Sequence, residues 1–220
     1  MSIKGVIFDV DGTLLDTETY LVDGWRKAAV KQGFEGVPDE CLKRTRAISK
    51  ELAKQIFKEY LGESFDYEQG FEDHTAFAEI ENKRLGKGLL KPGFFECIDY
   101  LRKEGIPYVL ATSTPHKKTE EHLKIAEVEK LFDLIVTRED VVKGKPEPDI
   151  FIKAAERIGV PVEECLVVED SYNGIEAAYR GRFKAVMIPD FMPAREEDKE
   201  KATVLNSLAE IVTYIENSKE

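Results

Sequence analysis

The segment Asp9-Val10-Asp11-Gly12-Thr13 places two acids two residues apart at the end of the apolar run Ile3 to Phe8. Residues two apart on a strand point the same way, with Cα atoms roughly 6–7 Å apart. Carboxylates held at that spacing can flank a phosphoryl group, one attacking phosphorus while the other serves the leaving oxygen. Gly12 lets the backbone turn sharply and approach a ligand closely. Acids behind a strand also serve as turn formers or helix caps, so this pair makes a site only if other polar groups join it.

Two further strand ends supply them. The run Val109-Leu110-Ala111 ends in Thr112-Ser113-Thr114, and Leu166-Val167-Val168 ends in Glu169-Asp170-Ser171. Ligands of open α/β sheets bind outside the carboxyl ends of the strands, so three strands deliver acids or hydroxyls to one edge. Thr112 is assigned to the ligand with Ser113 beside it, and capping of the following helix is left to Ser113 or Thr114. Glu169 and Asp170 compete with Ser171 for a capping role. Adjacent acids behind an apolar strand are costly without a cation, however, and hard oxygen ligands suit Mg²⁺. Lys145, bracketed by Gly144 and Pro146, is better held than most lysines to reach a phosphate, although the usual place of a lysine is the surface.

The elements that must position these residues follow from pattern. Ile3–Phe8, Ile106–Ala111, Leu134–Val136, Cys165–Val168 and Lys184–Ile188 are near-continuous apolar runs, as in a parallel sheet covered on both faces. Between them lie helical patterns: Phe94–Glu104 with Gly105 as its stop, a helix opened by Pro115, Asp149–Ile158 closed by Gly159, and Gly174–Arg180. This alternation predicts a doubly wound, Rossmann-like α/β core. Residues 16–88 break the rhythm with four helical stretches (Thr19–Gln32, Asp39–Arg46, Ser49–Leu61, Tyr67–Leu85), which predicts an inserted α-helical cap between core segments 1–15 and 89–220. An insertion after the first strand is expected to act as a lid, hinged near Gly12–Asp16 and Gly86–Gly93, whose closure excludes water. The charge-dense run 195–201 reads as a solvated loop.

Composition narrows the function classes. The 220 residues carry a net charge of −11, with 42% hydrophobic and 34% charged residues. This is a soluble globular composition whose charge argues against nucleic acid and anionic membranes as partners. Cys41, Cys97 and Cys165 lack pairing or zinc-site spacing. No basic leader precedes an apolar stretch, so a cytoplasmic protein is expected, as a monomer or weak homodimer.

DVDGT, the strand ending in Thr112, KPEPDIF and VVEDS, in that order, make the chain resemble the haloacid dehalogenase superfamily over essentially its whole length. It is most similar to the helical-cap subgroup of phosphoglycolate phosphatase-like enzymes, sugar phosphatases and β-phosphoglucomutase. The resemblance implies that Asp9 is a nucleophile that becomes phosphorylated, and that Asp11 is the acid and base. It implies Mg²⁺ on the Asp9 carboxylate, the Asp11 carbonyl and Asp170 with Glu169 assisting, and phosphoryl oxygens on Thr112 and Lys145. The second aspartate sets the chain apart from true dehalogenases.

A phosphatase acting on a small phosphorylated metabolite is expected ahead of a phosphomutase. Leu21 stands where the mutases carry a histidine, and Lys50 loosely aligns with a mutase arginine whose bidentate fork a lysine does not reproduce. A phospho-accepting receiver domain is a distant third, since it would have no lid and a mid-chain acceptor. In the cap, Trp25, Lys50 and Arg46 are candidate substrate contacts, set against core packing for the tryptophan and a solvated face for the cations. His74 is expected on an exposed helix face, and His116 and His122 at the surface.

Overall fold

The computed structural model describes residues 2–45 and 50–219, so Arg46 and the start of the helix expected from Ser49 lie outside the described residues. The chain divides into two compact units, Met1–Asp16 with Gly86–Glu220, and Thr17–Leu85.

The first unit is built on a parallel sheet of β1 (Gly5–Phe8), β2 (Tyr108–Thr112), β3 (Ile135–Thr137), β4 (Cys165–Glu169), β5 (Lys184–Met187) and β6 (Thr203–Val204). The strand order is β3-β2-β1-β4-β5-β6. Phe8 stands level with Leu110 on one side and with Val168 on the other. β1 is buried along its whole length, which explains its lack of polar alternation: helices cover both faces. On one face Ile7, Val109, Val136 and Val167 form a core with Ile150, Phe151 and Ala154 of a helix at Asp149–Ile158 and with Ile175 and Ala178 of one at Tyr172–Arg180. The helix Phe94–Glu104 buries Phe94, Cys97, Ile98 and Leu101 and packs against Glu210–Asn217.

The sequence pattern anticipates β1 to β5 and the helices between them; the two-residue β6 and the final helix go unread. One expectation is corrected. The run 195–201 is exposed at Arg195, Glu196, Glu197, Lys199 and Glu200, as expected, but it is not all loop: Glu196–Lys199 is a short helix. Asp198 within it is buried, and the Arg195 guanidinium donates to both its oxygens at 2.9 and 2.8 Å. A buried carboxylate needs such donors, and Arg195 supplies them from three residues away.

The second unit is helical: α1 (Glu18–Lys31), α2 (Asp39–Arg44), α3 (Lys50–Leu61) and α4 (Tyr67–Leu85). α1 packs along α4. Its core is aromatic, with Trp25 within 4.2 Å of Phe57 and 5.3 Å of Tyr67, centroid to centroid. The three cysteines are free and buried. Among the described residues no helix is long and apolar enough to cross a membrane.

Candidate active site

The strand order reverses direction between β1 and β4, the switch point where open α/β sheets leave a crevice at their carboxyl ends. Asp9 directly follows β1, and its N–H donates to the Val168 carbonyl of β4 at 3.0 Å. The sheet therefore sets Asp9 beside Glu169, although 160 residues separate them in sequence. Lys145 arrives from the loop between β3 and the helix Asp149–Ile158. Its ammonium donates to Asp9 Oδ1 at 2.5 Å, to Glu169 Oε1 at 2.6 Å and to the Ala111 carbonyl at 3.2 Å. Its side chain is 5% exposed, far from the ordinary place of a lysine.

Glu169 is fully engaged by the protein. One oxygen takes Lys145; the other accepts from the Asp170 and Ser171 N–H groups and the Ser171 hydroxyl, at 2.8–2.9 Å. Ser171 also caps the helix Tyr172–Arg180 by accepting from the Gly174 N–H at 3.1 Å. Glu169 thus sits over a helix N-terminus, where anions are favoured, and fixes Lys145. The fit leaves no room for a side chain at Gly174, where a Cβ would lie 1.9 Å from the Glu169 carboxyl.

Asp170 is held differently. Among the described contacts, the Thr13 hydroxyl donates to its Oδ1 at 3.1 Å. Gly12 turns the chain past it at φ +87°, and a Cβ there would come within 2.4 Å of Asp170 Oδ2. The glycine of the DVDGT motif is required on both counts: a left-handed backbone and space for the aspartate.

Carboxylate oxygens of Asp9, Glu169 and Asp170 lie within 4.8 Å of one another. Buried Asp9 and Glu169 and half-buried Asp170 face one ammonium, an excess of two negative charges. Burial accordingly pushes the Asp9 carboxyl up to about 7, with Lys145 pulling against the rise and Glu169 adding to it. Burial also drives Asp170 well above the usual carboxylate range, helped by Glu169 and Asp9. Burial opposes the charge on Lys145, yet Asp9 and Glu169 outweigh it and hold the ammonium protonated. Burial sets the direction for both acids, and the neighbouring carboxylates add to it. Two uncompensated charges among hard oxygen donors fit a divalent cation of the Mg²⁺ kind.

Asp11 lies in the turn beyond Asp9. Its Oδ2 accepts from the Thr114 hydroxyl at 2.6 Å, and its Oδ1 lies 3.1 Å from His122 Nδ1. Thr112 ends β2, buried, with its hydroxyl oxygen accepting from the Thr114 N–H at 3.1 Å. Ser113 next to it is exposed.

Two expectations are corrected here. The helix His116–Ile125 is capped by neither Ser113 nor Thr114: the Glu139 carboxylate accepts from the His116 N–H at 2.8 Å. A cap from another segment releases Thr114 to hold Asp11. His122 is not a surface residue but buried against Asp11. An i to i+3 or i+4 pattern could have marked it beside buried Thr119 as an inward face; its partner, 111 residues earlier, is invisible to local pattern. His116 is exposed, as expected.

Among the described residues, those singled out in the helical unit form no comparable group. Trp25 stacks on His74 at 4.1 Å, and Phe57 and Tyr67 complete the cluster. His74 is buried with Nδ1 2.6 Å from the Phe71 carbonyl, not on an exposed face: aromatic packing against Trp25 draws it in. Lys50 pairs with Glu68 in solvent and lies 4.7 Å from the Phe71 ring centroid.

Residues 3–180 match the profile of haloacid dehalogenase-like hydrolases. A Thermotoga maritima protein named phosphorylated carbohydrates phosphatase is 33% identical over 178 residues, covering 80% of each chain. A mutant of CbbY from Rhodobacter sphaeroides, solved in complex with xylulose-(1,5)bisphosphate, is 25% identical with a TM-score of 0.70, covering 94% of this chain and 96% of that one. A β-phosphoglucomutase from Clostridium difficile shares the fold at 23% identity and a TM-score of 0.74, covering 98% and 96%.

Proposed function

The chain belongs to the haloacid dehalogenase-like hydrolases, and from that premise we propose that it is a Mg²⁺-dependent phosphatase. It hydrolyses a small phosphorylated metabolite, a sugar phosphate or similar phosphomonoester, through an aspartyl-phosphate on Asp9. The observation that carries the reading is the buried Asp9–Lys145–Glu169 group at the switch point of the sheet, with a second aspartate two residues beyond the first. The Thermotoga maritima relative, named for phosphorylated carbohydrates, supports the substrate class.

Asp9 attacks phosphorus through a carboxylate oxygen as the bond from phosphorus to the leaving oxygen breaks. Asp11, protonated, gives its proton to that oxygen and the alcohol departs. The Asp11 carboxylate then takes a proton from water, whose oxygen attacks phosphorus. The bond to Asp9 breaks, releasing inorganic phosphate and restoring both aspartates. Positioned acid–base help of this kind is worth on the order of 10²–10⁴-fold.

Lys145 and the Thr112 hydroxyl bind the phosphoryl oxygens, whose charge the transition state spreads outward. Glu169 keeps the Lys145 ammonium in place. Asp9, Asp170 and the Asp11 carbonyl would hold Mg²⁺, which when bound supplies the charge that keeps Asp9 ionised and screens the phosphoryl group. Gly12 gives the backbone its close approach.

The test is phosphate release from a panel of phosphorylated metabolites, including β-glucose 1-phosphate, pyrophosphate and phosphoglycolate, with Mg²⁺ or with EDTA. Mg²⁺-dependent release from a subset, absent in Asp9→Asn, is the expected result. Interconversion of sugar phosphates without net phosphate release would replace the phosphatase with a phosphomutase, despite Leu21 and Lys50.

A further inference from the structure

We propose that His122 is a positioning residue for Asp11, fixing the carboxylate that protonates the leaving oxygen; the inference rests on the phosphatase reading above. Asp11 is gripped at both oxygens by groups from elsewhere in the first unit: the Thr114 hydroxyl on Oδ2 at 2.6 Å and His122 Nδ1 on Oδ1 at 3.1 Å. The Asp11 and His122 side chains are 16% and 9% exposed, so water competes little for the contact. An ionised Asp11 only accepts hydrogen bonds. Nδ1 must therefore carry the imidazole proton in that state, which fixes the tautomer.

The histidine comes from a well-anchored helix. His116–Ile125 is capped by Glu139 across 23 residues. Thr119 is buried with its hydroxyl donating to the Pro115 carbonyl at 3.1 Å, and Leu123, next to His122, is buried too. The donor is thus placed before any substrate arrives. Asp11 itself sits in a turn beyond the end of β1, where a short side chain has rotamers to choose among. Two fixed donors remove that choice. A displacement of about 1 Å in such a group can cost on the order of 10²-fold in rate.

A purely structural histidine would need only its shape, whereas a positioning histidine needs its Nδ1–H. The test uses full-length His122→Leu and His122→Asn, the latter returning an N–H near the Nδ1 position. Both are assayed for kcat/KM with 4-nitrophenyl phosphate, whose leaving group needs no proton, and with the best sugar phosphate of the panel. His122→Leu is expected to lose roughly 10- to 100-fold on the sugar phosphate and far less on the aryl ester, and His122→Asn to recover most of the loss. Equal losses on the two esters, no loss, or equal losses in the two variants would overturn the inference. Should the variants fail to fold, long-range ¹H–¹⁵N NMR of the wild-type imidazoles decides. An Nδ1–H signal for His122 that moves in Asp11→Asn supports the contact; an Nε2–H tautomer with an acceptor Nδ1 contradicts it. A wild type that releases no phosphate from any ester sinks the phosphatase reading instead, while the NMR result still stands.

Discussion

Lys145 and Lys50 each meet a glutamate, one at the switch point of the sheet and one on the helical unit, and the two pairs differ in almost every physical respect. Lys145 and Glu169 are 5% and 1% exposed and share their hydrogen bonds with Asp9, Ala111 and a helix N-terminus. Lys50 and Glu68 are 47% and 50% exposed, and Lys54 shares the same glutamate from one turn further along. A buried pair carries a desolvation cost that only good geometry offsets, and removing one partner leaves a charge stranded. An exposed pair is screened by water and contributes little. Under the proposed function the buried charge is retained at that cost for chemistry, whereas the exposed pair reads as a solvated face.

The largest effect that would break this contrast is at Lys145. Lys145→Ala is expected to lower phosphate release by at least about 100-fold and, in metal-free protein, to cost about 3–5 kcal/mol in urea unfolding. A variant of unchanged stability would put the buried pair on the same footing as the exposed one. Next comes Gly174→Ala, which drives a methyl group into the Glu169 carboxyl and should cost about 1–3 kcal/mol, read by the same unfolding curves. Full stability there would mean that Glu169 is free to move.

A smaller effect sharpens the charge argument. The folded carboxyl of Asp9 titrates near 7 rather than 3.8, so without metal the folded state binds the extra proton. That contribution to stability is present below pH about 4 and lost as pH rises toward 7. A divalent cation competes with the proton, so the gain in melting temperature on adding Mg²⁺ should grow between pH 4 and 7. A gain independent of pH would place the metal elsewhere. Smallest of all, Lys50→Ala should leave the melting temperature unchanged within error, and a clear drop would show that the helical unit depends on that pair.

How much of this could be read from the chain depends on how far each residue's partners lie in sequence. Asp9, Thr112, Glu169 and Asp170 announce themselves because each ends an apolar run, and parallel strands put such ends on one edge. Lys145 stands out through its glycine and proline neighbours. His122 does not, since Asp11 comes to it only through the packing of the helix His116–Ile125. Glu139 as a helix cap and the stacking of His74 on Trp25 are hidden for the same reason. Arg195 and Asp198 are close in sequence, yet in a dense and mostly exposed run of charges no local pattern marks Asp198 as the buried one.

The most direct measurement is acid-quenched rapid mixing with a phosphorylated metabolite from the panel, followed by peptide mapping in a mass spectrometer. The account predicts one phosphoryl group on the peptide containing Asp9, formed and lost during turnover, and neither label nor turnover in Asp9→Asn. A phosphoryl group on any other residue, or turnover that survives in Asp9→Asn, would contradict it.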